Sequence, residues 1–119
     1  MRTRALIVDD HPSFRRTARV LLEAEGFDVV GEAENGAQAL RLAQELAPDF
    51  LLLDVQLPDF DGFEVAARLA EYAPPDPPAV ILVSSRGGDE FGSLVARSGA
   101  LGFVPKGELS GDALRRLLD

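Results

Sequence analysis

Phe50-Leu51-Leu52-Leu53-Asp54 is a short apolar run that stops on a carboxylate. A strand buried on both faces of a parallel sheet reads in this way, as a continuous apolar stretch without polar alternation. Three more runs share the pattern. Ala5-Leu6-Ile7-Val8 leads into Asp9-Asp10, Ala79-Val80-Ile81-Leu82-Val83 into Ser84, and Leu101-Gly102-Phe103-Val104-Pro105 into Lys106. In open α/β sheets, ligands bind beyond the carboxyl ends of the strands. The four endings would therefore bring three carboxylates, a hydroxyl and an ammonium to one sheet edge. Lys106 is the only lysine; every other cationic side chain apart from His11 is arginine. A compact ammonium in that place, where the chain otherwise uses the planar fork of arginine, suits a phosphoryl group beside a divalent cation.

Between these runs the pattern changes to helical spacing. Pro12 suits the first turn of a helix carrying Phe14, Ala18, Val20, Leu21 and Leu22, which Gly26 closes. Phe27-Asp28-Val29-Val30 begins a second strand, and Asn35-Gly36 is a turn signal. Ala37, Ala39, Leu40, Leu42, Ala43 and Leu46 then recur at helical spacing until Pro48. Leu57 to Gly62 is loop chemistry, followed by a helix through Val65, Ala66, Leu69 and Tyr72. Pro74, Pro75, Pro77 and Pro78 form a rigid connector. A fourth helix is expected around Asp89 to Arg97, and a last one from near Ser110 with Leu114, Leu117 and Leu118 in pattern up to Asp119. Strand and helix alternate five times, so the expected fold is α/β: a doubly wound (βα)5 domain, one five-stranded parallel sheet with helices on both faces.

Bulk properties narrow the class. A chain of 119 residues with 46% hydrophobic content suffices for one core. A net charge of −8 argues against direct nucleic-acid binding and against adhesion to anionic membranes. The absence of cysteine removes disulfide and thiolate chemistry and fits the cytoplasm. Met1 is followed by a strand pattern and not by a secretory h-region, and no run approaches membrane-spanning length.

With Asp9-Asp10, Asp54, Leu57-Pro58, Asp61-Gly62, Ser84 and Lys106 in this order, the chain resembles the receiver domain of two-component response regulators over essentially all of residues 1–119. The Asp-Asp-His-Pro start and the Gly-Phe-Val-Pro-Lys stretch resemble the subgroup that usually carries a C-terminal helix-turn-helix domain; the chain reads either as a single-domain regulator or, the favoured expectation, as one cut before such an output domain. The resemblance implies a flavodoxin-like fold and a phosphoacceptor that assists its own phosphoryl transfer and dephosphorylation but is no metabolic enzyme. A partner histidine kinase would phosphorylate Asp54 in the presence of Mg2+. By similarity, Asp10 and Asp54 would bind the metal directly, Asp9 largely through water, and the backbone carbonyl of Gln56 would add a ligand. Lys106 would neutralise phosphoryl charge and Ser84 would donate to a phosphoryl oxygen. Displacement of Ser84, with a rotamer change at Phe103, would switch the face formed by helix 4, strand 5 and helix 5. Homodimers could form through helix 1 with helix 5 or helix 4 with helix 5. Gly107 stands where many members of the family have proline, and Ser84 where threonine is more usual.

Other readings are weaker. Asp59 and Asp61 read better as helix caps or solvated turns than as metal ligands, with Asp61 and Gly62 shaping the start of the third helix. His11, the only histidine, reads as an exposed residue before helix 1, and Ser85 is the rival of Ser84. Gly87-Gly88-Asp89-Glu90-Phe91 spells the diguanylate cyclase signature, but the 28 residues after it and the four strand–helix units before it leave no place for that domain. A haloacid dehalogenase type phosphohydrolase would need an acid two positions after the nucleophile, where Gln56 stands. A receiver-like interaction module that never takes phosphate is the more serious alternative; it would be expected to have lost Asp54 or Lys106.

Overall fold

In the computed structural model, which describes residues 2–72, 77–85 and 92–119, all four apolar runs lie side by side as strands. They are β1 (Arg4–Val8), β3 (Phe50–Asp54), β4 (Ala79–Ser84) and β5 (Gly102–Pro105), with β2 (Asp28–Ala33) completing the sheet. Every pairing is parallel, in the order β2-β1-β3-β4-β5. The helices are α1 (Pro12–Ala24), α2 (Gly36–Leu46), α3 (Gly62–Tyr72), α4 (Gly92–Ser98) and α5 (Gly111–Leu118), with a 3-10 turn at Lys106–Glu108. This is the doubly wound, flavodoxin-like order, in which the progression of strands across the sheet reverses between β1 and β3 and a crevice opens above them.

Residue parity along the strands sorts the core into two layers. Ala5, Ile7, Phe50, Leu52, Ile81 and Val83 meet Ala18 and Leu22 of α1 and Leu114 of α5. Leu6, Val8, Leu51, Leu53, Val80 and Leu82 face the other way, onto Ala39 and Ala43 of α2 and Val65, Ala66 and Leu69 of α3. Because successive side chains point to opposite faces of a sheet, an unbroken apolar run serves both layers at once. From Ala5 to Val8 and from Phe50 to Leu53, every residue has zero exposure.

Side chains stop the backbone from fraying where helices begin. Asn35 accepts from the N–H of Gln38 (2.8 Å), Asp61 from Glu64 (2.9 Å) and Ser110 from Ala113 (3.1 Å). Pro12 occupies the first turn of α1, where its missing donor is no loss. The fifth strand departs from expectation by one residue. The Leu101 N–H still bonds to Val80 O (2.7 Å), yet its side chain is 46% exposed and the strand begins at Gly102. Helix α4 is described from Gly92; the expected start at Asp89, the Gly87–Phe91 signature, and Pro74 and Pro75 of the connector lie outside the described residues. No described helix is long and apolar enough to cross a membrane.

Candidate functional site

Three strand ends supply the centre of the site. Asp54 is the last residue of β3, Asp9 follows β1 directly, and Lys106 follows β5. Asp9 is fully buried and Asp54 nearly so. The Lys106 ammonium reaches between them, 2.7 Å from Asp9 Oδ2 and 3.3 Å from Asp54 Oδ2. Asp9 Oδ1 accepts from the His11 N–H (2.8 Å), and Asp54 Oδ1 from the Gln56 N–H (3.2 Å). Asp10 is more open, with its carboxylate turned to the His11 ring (Nδ1 to Oδ1, 3.1 Å).

The charges do not balance. Burial, reinforced by the neighbouring Asp9 carboxylate, pushes Asp54 up to about 6, against the opposing pull of the Gln56 N–H and Lys106. A cation would relieve the excess of negative charge. Asp9 Oδ2 meets Lys106 as an ion pair and takes no aligned hydrogen bond, although it is buried. Ligand atoms of Asp9, Asp10, His11 and Asp54 lie within 4.8 Å of one another. Hard carboxylate oxygens in a cluster open to solvent on one side fit Mg2+, which keeps several of its waters.

The surrounding loops fix this corner. Gly62 passes so close beneath β3 that a Cβ there would lie 2.5 Å from the Asp54 carbonyl oxygen, and its N–H donates to Val55 O (2.8 Å). Only glycine can sit there without moving the backbone that carries Asp54. Asp59 caps a helix as expected, but across the molecule: its carboxylate accepts from the N–H groups of Gly36 (2.8 Å) and Ala37 (3.0 Å) at the start of α2. Those bonds hold its pKa below the usual value even though it lies at the surface.

Ser84 closes β4, buried and level with Pro105, whereas Ser85 is exposed. Phe103 sits in β5 opposite Leu82, partly buried against the α2–α3 layer. Gln56 meets the site through its N–H. His11 is exposed before α1, as expected, but its ring nitrogen contacts both Asp9 and Asp10 at 3.1 Å. Two further contacts were not foreseen. The ammonium of Lys106 stands 4.4 Å over the Phe14 ring, and the Arg15 guanidinium donates to the Asp9 carbonyl (2.6 Å). Phe14 read as an ordinary core position because helical periodicity says nothing about which strand end lies above it.

The fold and this corner define a class: a doubly wound α/β domain with a lysine-bridged acidic pocket at its switch point. Residues 5–118 match the response regulator receiver domain, and the chain belongs to that family. It is 42% identical over 108 residues to the "Virulence factors putative positive transcription regulator BvgA" of Bordetella pertussis, a match spanning 91% of this chain and 51% of the relative. A "Putative transcriptional regulator" of Pseudomonas aeruginosa is 42% identical over 106 residues, covering 89% of this chain and 50% of the relative. The chain thus spans about half the length of these curated relatives. Among solved structures, the receiver domain of the putative response regulator NarL from Mycobacterium tuberculosis superposes with a TM-score of 0.84 at 34% identity, covering 98% of this chain and 97% of that one. Receiver domains hold Mg2+ at an acidic pocket and are phosphorylated by histidine kinases, so the family's business is signalling.

Proposed function

We propose that this domain is a phosphoacceptor switch in which Asp54 takes a phosphoryl group from a phosphohistidine of a partner kinase. One observation carries the reading: two buried carboxylates at neighbouring strand ends, Asp54 and Asp9, bridged by the only lysine of the chain. In the reaction an Asp54 carboxylate oxygen forms a bond to phosphorus as the phosphorus–nitrogen bond breaks. The imidazole leaves with the electron pair, and the product is an aspartyl phosphate. Lys106 already touches Asp54, so phosphoryl oxygens added there fall within reach of its ammonium. Ser84, buried at the neighbouring strand end, donates to one of them. Asp10, Asp54, the Gln56 carbonyl and, through water, Asp9 would hold Mg2+, which when bound neutralises charge on the transferring group.

Phosphorylation replaces a carboxylate of one negative charge by an acyl phosphate of about two, so this corner gains about one negative charge and three phosphoryl oxygens that accept hydrogen bonds. Ser84 is drawn towards them, Phe103 changes rotamer behind it, and the face of α4, β5 and α5 takes its second arrangement. That face, or α1 with α5, would serve for dimers. The names of the relatives support transcription as the output, exerted through a DNA-binding domain outside residues 1–119. The same chemistry would let the domain assist its own dephosphorylation.

The test is intact mass after incubation with a small acyl-phosphate donor, with and without Mg2+, for the wild type and Asp54→Ala. One phosphoryl adduct that needs both Mg2+ and Asp54 is the expected result. No adduct in a protein that binds Mg2+ would favour the phosphate-independent interaction module, and an adduct surviving Asp54→Ala would move the site elsewhere.

A further inference from the structure

Asp9 is tied at each of its polar groups. Its N–H donates to Ala33 O at the end of β2 (3.0 Å), Oδ1 accepts from the His11 N–H, and Oδ2 pairs with Lys106. The fourth tie is the 2.6 Å bond from Arg15 Nη1 to the Asp9 carbonyl. The Arg15 side chain is largely covered, at 16% exposure, and its guanidinium is itself held. Its Nε donates to Glu32 Oε1 (3.1 Å), while the other Glu32 oxygen accepts from Arg19 Nε (2.7 Å), one turn further along α1. Glu32 is on β2, level with Ile7 of β1. One planar fork therefore joins the loop after β1 to the neighbouring strand.

We infer that Arg15, oriented by Glu32, is a positioning residue that holds the Asp9–Asp10 corner in its cation-binding geometry and so sets the affinity of this chain for Mg2+. The inference rests on the metal reading proposed above. Groups that orient metal ligands commonly change affinity about 10–100-fold when removed. A contrary effect must be weighed, since a guanidinium near carboxylates repels a divalent cation and its removal should then tighten binding. Glu32 offsets that charge, which leaves geometry as the stronger effect. Lysine separates the two, because it keeps the charge but cannot span both partners.

The deciding experiment titrates the full chain with MgCl2 without any phosphodonor, following the backbone amide resonances of Asp9 to His11. Wild type is compared with Arg15→Lys, Arg15→Met and Glu32→Ala, and circular dichroism confirms that each variant is folded. Both Arg15 variants are expected to bind about tenfold more weakly than wild type, with a smaller loss in Glu32→Ala. Wild-type affinity in Arg15→Lys, or tighter binding in Arg15→Met, would overturn the inference. Unchanged binding in Glu32→Ala would overturn the part given to Glu32. A wild type that takes no Mg2+ at all would instead refute the metal reading, a result distinct from wild-type binding with indifferent variants.

Discussion

The two sides of the sheet are built to different standards. On the side of β1 and β3, the strands are sealed from solvent along their apolar length, and α1, α2 and α3 each contribute fully or nearly fully buried residues. On the side of β5, only Val104 of the strand is buried, described α4 buries nothing completely, and Leu94 and Leu101 are 43% and 46% exposed. The first side carries Asp9, Asp10 and Asp54, which the proposed metal and phosphoryl chemistry needs in fixed geometry. The second carries Phe103 and the face through which the proposed switch would act. Little apolar area is lost when thinly packed elements shift, so a signal of a few kcal/mol can move them while leaving the acidic corner intact.

The contrast can be attacked by substitution, with urea midpoints as the measure. Leu51→Ala, in the sealed half, should lose about 3 kcal/mol of stability. A loss near zero there would end the distinction between the halves. Asp54→Asn should act in the opposite direction in the absence of Mg2+. With Asp54 raised from 3.8 to about 6, the folded protein binds that proton more tightly than the unfolded chain. Its contribution is fully favourable below about pH 3.8 and is lost as the pH rises through about 6. At pH 7 the neutral amide should therefore stabilise the metal-free domain by about 1–2 kcal/mol, with the shift discounted for solvent at the open sheet edge. The decline in stability between pH 4 and 6 should also become shallower. An unchanged pH profile would mean that neither burial nor the Asp9 carboxylate raises Asp54 in the folded protein. Leu94→Ala, on the thin side, should change stability by no more than about 0.5 kcal/mol. A loss as large as that of Leu51→Ala would show that α4 is anchored after all.

What could be read in advance follows the same division. The runs that became β1, β3 and β4 were legible because a strand buried on both faces leaves no polar position to confuse the pattern. Their polar endings were legible because the sheet order converts sequence position into spatial proximity. Phe103 and Leu101 lie at an edge, where one face is open and the apolar run no longer reports burial; Leu101 accordingly proved to stand outside the strand. The supports of the site were out of reach for another reason. Arg15 and Glu32 meet across a separation of 17 residues, and no local rule links a helix position to an edge strand. Asp59 was legible as a cap, but not as the cap of a helix that begins 23 residues before it.

That last bond has a consequence for watching the molecule. Amides in the first turn of a helix ordinarily exchange their hydrogens quickly, because nothing in the helix accepts from them. At Gly36 and Ala37 the acceptor is Asp59, in the loop between β3 and α3 that follows Asp54. Their exchange into heavy water should therefore be slow while that loop is closed and quicken when it lifts. Two backbone positions on α2 thus keep time for the loop beside Asp54, and can be read without attaching any probe.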